Sequence, residues 1–329
     1  MFKSKALLFI LLFTAKLGLS QVTWFNVDSL YGPLPGSVHV YKTNSNLEDK
    51  ANIAFYVVAD LKDRQIDFTS DTSDKRRLTP SQFYERNERP LVIVNCTFFS
   101  FETNKNLSLL IKEGKIVAHN NHIAALKGND SLTYVKYLGS ALGISKRREA
   151  DVAWIFSDSS IRWPLAFEQS PLVLKDSLPV VSQRHFYSKN TNNTNRESIN
   201  TGIRKKWKMK TAVGGGPVLI QQNRISITNN EERKFMGKAI NDKHPRTAIG
   251  YTNDNKLIIL VVQGRMPGVA EGATLLQEAQ MLKDLGCVEA LNLDGGGSSC
   301  LLINGKETII PSDKGKQRAV PAVFMINRT

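Results

Sequence analysis

Few folds can accommodate the run Ala290-Leu-Asn-Leu-Asp-Gly-Gly-Gly-Ser-Ser-Cys-Leu301. Its first half reads as a buried strand that breaks at Asp294 into three consecutive glycines. Gly295, Gly296 and Gly297 give up side-chain packing and supply positive φ, open backbone N–H groups and room for a close neighbour. Asp294 stands at the lip of the strand, where a functional carboxylate is commonly delivered, and Ser298 and Ser299 add two hydroxyls. The stretch is either a cradle for an oxygen-rich ligand or a tight turn between two strands.

The rest of the chain limits the choice. At 329 residues and 41% hydrophobic it can bury a sizeable core and is not composed like a disordered protein. Lys3 and Lys5, an apolar run over residues 6–13 and Gly18-Leu19-Ser20 have the layout of a secretory signal cut after Ser20, too short for a membrane span. The mature chain is therefore expected to be secreted or periplasmic, with no transmembrane segment. Three of the +14 charges, Lys3, Lys5 and Lys16, lie in that signal, leaving +11. The excess is scattered in short clusters, Lys75-Arg76-Arg77, Lys146-Arg147-Arg148 and Arg204-Lys205-Lys206. None has the interleaved aromatics of a single-strand binder, so they read as solvated faces and nucleic acid is not expected as a partner. Cys96, Cys287 and Cys300 are an odd set, read as three small buried thiols rather than a disulfide or zinc framework.

Strand signals dominate: residues 53–58, 62–68, 91–95, a hairpin within 107–117, another within 141–156, then 218–220, 246–251, 256–262, 288–293, 301–303 and 319–326. A short helix is expected over residues 80–88. A longer one carries Leu275, Leu276, Ala279, Leu282 and Leu285 at helical spacing, with Thr274 and Gln277 as a capping box and Gly286 as its stop. Residues 188–202, rich in Asn, Thr and Ser, read as a loop or insertion. The expected architecture is α+β, a single domain over residues 53–329 with a mixed, largely antiparallel sheet and few helices, preceded by an extended segment over 21–52.

Several unusual stretches occur in one order: Asn95-Cys-Thr-Phe-Phe99, Gly214-Gly-Gly-Pro-Val-Leu219, Pro245-Arg-Thr-Ala248, Gly264-Arg265, Gly272-Ala-Thr-Leu275, Asn292-Leu-Asp-Gly-Gly-Gly-Ser-Ser299, and Pro311-Ser-Asp313 with Arg318. Together they resemble the phosphodiester glycosidase family over roughly residues 53–326, most closely its exported bacterial branch. The resemblance implies a hydrolase that cleaves sugar-1-phosphodiesters of the N-acetylglucosamine-1-phosphodiester kind on phosphorylated carbohydrates or cell-surface glycans. Phosphate leaves readily, so the site must neutralise phosphodiester charge and activate water or shield an oxocarbenium-like centre. On this reading Asp294 serves the anomeric carbon and Arg265 and Arg246 fork phosphate oxygens. Asn95, Gly214, Gly215, the amides of Gly295, Gly296 and Gly297, and the hydroxyls of Ser298 and Ser299 contact substrate. Alongside these roles stand plainer ones: a turn cap for Asp294, a surface ion pair for Arg265, a loop brace for Arg246 and a turn residue in Asn95.

The chain departs from the family pattern at Gln263 and Gln277, where the family tends to carry carboxylates, and at Cys96 and Thr97. A non-catalytic protein that binds phosphorylated or acidic glycans is therefore the alternative, with an ordinary α-glycosidase third. His244 offers a base that titrates near neutrality. Ser298 lacks the Gly-x-Ser-x-Gly setting of a nucleophile, and the glycine run lacks a P-loop's Gly-Lys-Ser/Thr. No cofactor is certain; oxygen-ligand sites leave little trace in sequence, so a divalent cation shared by Asp294 and Asp313 stays open.

Overall fold

Continuous β-branched runs bury both faces of a strand, and the segment Lys256–Val262 shows what that builds. In the computed structural model, which describes residues 22–125, 134–168 and 204–329, its alternate side chains enter two different cores. Leu257, Ile259 and Val261 join the largest apolar cluster, while Ile258, Leu260 and Val262 face the helix Leu275–Asp284. The strand belongs to an eight-stranded sheet ordered Phe25–Asn26, Val38–Thr43, Ala54–Asp60, Lys256–Val262, Arg246–Thr252, Cys287–Asn292, Val218–Gln221, Arg224–Ile225. A seven-stranded sheet is centred on Gly139–Ser145, between Ala150–Phe156 and Met209–Gly214, and a five-stranded one on Val92–Asn95, between Leu301–Ile303 and Ala322–Arg328. The largest cluster joins all three, from Val57 and Ile259 through Leu142 and Trp154 to Val94 and Phe324.

The α+β expectation holds, in a more strictly antiparallel form: three large sheets and a two-stranded ribbon, with every described strand pairing antiparallel. The segment over 21–52 is not a separate lead-in, because Val38–Thr43 pairs along its length with Ala54–Asp60 and buries Val38 and Val40 in the core. The second strand lies at Ile66–Thr72, a few residues beyond its expected place. The described helices are few and short: Asp28–Tyr31, Pro80–Arg86, Asn229–Glu232 and Leu275–Asp284. Capping boxes start two of them, Thr79 with Gln82 and Thr274 with Gln277. All three cysteines are free and buried. No helix among the described residues is long and apolar enough to cross a membrane. The expected signal over 1–20 and the insertion over 188–202 lie outside the described residues.

One buried acid fastens two sheets together. Glu232, with no exposed surface, accepts from the Ser140 amide (3.3 Å) and hydroxyl (2.6 Å), Trp154 Nε1 (3.2 Å), the Val218 amide (2.8 Å) and the Thr228 hydroxyl (2.6 Å). Five donors without a competing acceptor make a setting for a carboxylate. Glu232→Ala would leave them unsatisfied in the interior, and a loss of at least about 3 kcal/mol is expected in urea denaturation. Glu232→Gln, which keeps an acceptor oxygen, is expected to lose less.

Candidate active site

The site is organised by two backbone residues, His244 and Pro245, on which two loops converge, one over residues 263–274 and one over 293–300. The His244 carbonyl accepts from the Ala273 amide (3.0 Å) and the Pro245 carbonyl from the Gly296 amide (2.8 Å). A Cβ on Gly264 would lie 2.8 Å from the Pro245 nitrogen, one on Gly272 2.5 Å from the His244 oxygen, and one on Gly295 2.9 Å from the Pro245 oxygen. Such contacts are closer than a side chain tolerates, so the glycines permit a junction that other residues would push apart. Strand register brings the same segments to one rim: Arg246 opposes Val262, and Ala248 opposes Asn292.

Asp294 leaves that rim held on both sides by the end of Val92–Asn95. Its amide donates to the Cys96 carbonyl (2.8 Å), and its own carbonyl accepts from Asn95 Nδ2 (2.5 Å). The residue as a whole is partly exposed, while its carboxyl is recessed. Burial pushes its carboxyl up to about 7, against the opposing pull of the Ser298 hydroxyl, Arg318 and the Gly295 amide. An acid poised near neutrality can exchange a proton in either direction at physiological pH.

Two guanidinium groups lie over the glycine turn. Arg265 projects over Gly296, so that a Cβ there would fall 3.0 Å from Arg265 Nη2. Arg265 is exposed, has no acidic partner among the described residues, and sits at φ +62°. A bulky residue in left-handed backbone costs about 1–2 kcal/mol, which marks a position kept for its placement. Arg318 covers Gly297; Asp313 holds its Nε at 2.9 Å, leaving both terminal nitrogens directed at the turn. His244 completes the rim. Burial and the nearby Arg246 and Arg265 lower its pKa, so its imidazole is neutral where Asp294 titrates.

Other expected contacts turn out to be structural. Arg246 is 2% exposed and donates to the carbonyls of Ala273 (2.9 Å) and Asp242 (3.1 Å), with Phe235 5.5 Å above it. It braces the helix start rather than offering a free fork to phosphate. Asn95 is fully buried; its Oδ1 accepts from Thr247 Oγ1 and the Cys300 amide, so it fixes the Asp294 turn and does not reach a sugar. Gly214 and Gly215 are packing residues: a Cβ on Gly214 would lie 2.6 Å from the Leu109 nitrogen within the seven-stranded sheet, and one on Gly215 would strike the Asn292 carbonyl of the eight-stranded one. The amides of Gly296 and Ser298 are used within the turn, by the carbonyls of Pro245 and Gly295. What this loop presents is therefore less its bare backbone than Asp294 and two arginines seated on glycines. Ser298 and Ser299 are 1% exposed, and the Ser299 hydroxyl lies 3.2 Å from that of Thr247.

The two glutamines also have structural partners. Gln277 completes the helix cap, and Gln263 Oε1 accepts from the Ile310 amide (2.9 Å), tying the Arg265 loop to the segment that carries Asp313 and Arg318. Glu278, one residue past the cap, is fully buried near Arg246 with neither carboxyl oxygen hydrogen-bonded, and burial pushes it up to about 8. Among the described residues no three His, Cys, Asp or Glu side chains gather as a metal site. Asp313 is engaged by Arg318 rather than shared with Asp294. The sequence pattern had placed Arg318 among the family motifs without a role; its contact with Gly297 supplies one. Phe235, packed edge to face at 6.1 Å against Phe98 of the Asn95–Phe99 motif and lying by Arg246, carried no sequence signal beyond hydrophobicity.

The family described as phosphodiester glycosidase matches residues 155–327, more than half of the chain. N-acetylglucosamine-1-phosphodiester alpha-N-acetylglucosaminidase of Mus musculus is 30% identical over 102 residues, 31% of this chain and 19% of that protein. The SPbeta prophage-derived uncharacterized protein YomE of Bacillus subtilis is 42% identical over 88 residues, 27% of this chain and 13% of that protein. These matches thus span less than a fifth of either relative's length. The auto-inhibited catalytic domain of the zebrafish N-acetylglucosamine-1-phosphodiester alpha-N-acetylglucosaminidase shares the fold, with a TM-score of 0.59 at 18% identity over 94% of this chain and 89% of that one. A hypothetical protein from Synechocystis gives a TM-score of 0.58 at 16% identity, covering 89% of this chain and 62% of that one.

The raised Asp294 pKa has a consequence for stability. Because the folded state keeps this proton where the unfolded chain has lost it, stability falls as pH rises from the ordinary carboxylate range through about 7. Asp294→Asn removes that dependence. Urea midpoints are expected to favour the variant at pH 8 and to converge with the parent toward pH 4.

Proposed function

Since the chain belongs to the phosphodiester glycosidase family, we propose that it hydrolyses the bond between a sugar's anomeric carbon and a phosphodiester oxygen, on N-acetylglucosamine-1-phosphodiester-like substrates. The observation that carries this reading is the seating of Arg265 and Arg318 on Gly296 and Gly297, immediately beyond the recessed carboxyl of Asp294. Two guanidinium groups answer the charge of a phosphodiester and of the phosphate that departs from it. Phosphate leaves without strong acid assistance, so the remaining work is at the sugar carbon. Asp294, ionised above about 7, takes a proton from the attacking water or shields positive charge on the ring. Neutral His244 adds no positive charge there. The bonds from Asn95 and Cys96 fix where the carboxylate stands.

Gln263 and Gln277 bear on the choice between catalysis and binding alone. Both have structural partners, so the chemistry rests on Asp294, and a chain in which Asp294 could not act would be a glycan-phosphate binder. We also read the protein as secreted or periplasmic, from the signal-like layout of residues 1–20.

Release of N-acetylglucosamine from its 1-phosphodiesters by the purified protein tests the reading. The parent is expected to turn over and Asp294→Asn to lose activity. Arg265→Ala is expected to drop by on the order of a hundredfold in kcat/KM on the phosphodiester. Neutral aryl glycosides should be poor substrates for all three. Tight binding by the parent with no product would establish the binding protein instead.

A further inference from the structure

The cluster Lys75-Arg76-Arg77 has the composition of a solvated face, yet its members go different ways. Arg76 turns back onto the Ser73 carbonyl, and Lys75 is exposed. The guanidinium of Arg77 lies 5.6 Å from the centre of the Phe99 ring and 5.2 Å from that of Phe101. Phe101 is 61% exposed and has a second guanidinium, that of Arg318, 5.4 Å from its centre. Arg318 is in turn the residue seated on Gly297. The contacts therefore run in a row from the glycine turn: Arg318 on Gly297, Phe101 against Arg318, and Arg77 against Phe101, with Arg265 beside them on Gly296.

Two features of the row call for a ligand. Arg77 has no acidic partner among the described residues, whereas Arg318 is held by Asp313. Phe101 keeps most of its surface in water although Phe99, at 4.8 Å, and two arginines fix its position. A single phosphodiester is satisfied by Arg265 and Arg318, which leaves Arg77 and the exposed part of Phe101 over. The Arg77 and Arg318 guanidinium carbons can be no farther apart than the sum of their distances to the Phe101 centre, a gap that one sugar ring with a phosphate at each end can bridge. Rings stack on aromatic faces and guanidinium groups fork phosphate oxygens.

We infer that Phe101 and Arg77 form a second subsite, taking the next sugar and the next phosphate of a chain whose sugars are joined through repeated phosphodiesters. The inference rests on the proposed function for the identity of the groups at Asp294, but its test reads binding. Calorimetry on Asp294→Asn would use two probes: methyl N-acetylglucosamine-1-phosphodiester, with one phosphate, and a synthetic oligomer with two phosphates flanking one sugar. The oligomer is expected to bind about tenfold tighter, and adding Arg77→Ala should remove that gain while leaving the one-phosphate Kd unchanged. Phe101→Leu should reduce the gain as well, and Lys75→Ala, which alters only general charge, should not.

Equal binding of the two probes would overturn the subsite. So would an Arg77→Ala effect of the same size on both, or a Lys75→Ala effect as large as that of Arg77→Ala. If the parent cleaves neither probe yet prefers the oligomer through Arg77, the proposed reaction fails and the subsite stands. If it cleaves both with no preference, the reverse holds.

Discussion

Everything at the site depends on how closely backbone can approach backbone at His244 and Pro245. Two loops distant in sequence, one carrying Gly264 and Gly272 and the other Gly295, meet there at separations that leave no room for a Cβ. The hydrogen bonds from Ala273 and Gly296 to these two carbonyls lock the junction. Because the segments come from the ends of paired strands and the start of a helix, the large cores beneath set their positions. Loops carrying catalytic groups usually trade precision for freedom; here the loops are short and their roots are buried.

On that rigid base the electrostatics are deliberately unbalanced. Some cations elsewhere are paired, as Lys112 is with Asp71 and Lys256 with Asp60. At the rim Arg265 has no acidic partner, Arg246 is spent on carbonyls and lowers the pKa of His244, and Asp294 is driven toward its neutral form by burial. The field of such a rim favours an incoming anion, whose charge supplies the missing counterpart. The left-handed backbone of Arg265 fits this view, since local strain is tolerated where it places a side chain that binding repays.

Much of this was legible in the residues, and the reasons differ by element. Continuous apolar runs such as 256–262 and 91–95 announced buried strands because both faces of those strands lie in cores. Thr274 with Gln277 announced a helix start because the capping box is a local device. The Asp294 turn stood out because an apolar strand that breaks at a carboxylate into three glycines fits a ligand cradle or a tight turn and little else. What could not be read was which polar groups the fold would consume. Asn95 and Arg246 have the chemistry of ligand contacts, but groups elsewhere in the fold take up their donors and acceptors. Gly214 and Gly215 looked like a second cradle, yet serve as clearance between strands. The role of Arg318 was equally hidden, because its contact with Gly297 depends on how the loop after Ile310 is hung from Gln263.

The three thiols have a practical side. Cys96, Cys287 and Cys300 are each at most 2% exposed, and burial raises all three well above the ordinary thiol value, Cys96 and Cys287 to about 12. Disulfide exchange proceeds through the thiolate, which these residues scarcely form, and none is open to attack by an external disulfide. The native fold is consequently indifferent to redox poise. Once folded it holds no disulfide, so reductant added during purification has nothing to break.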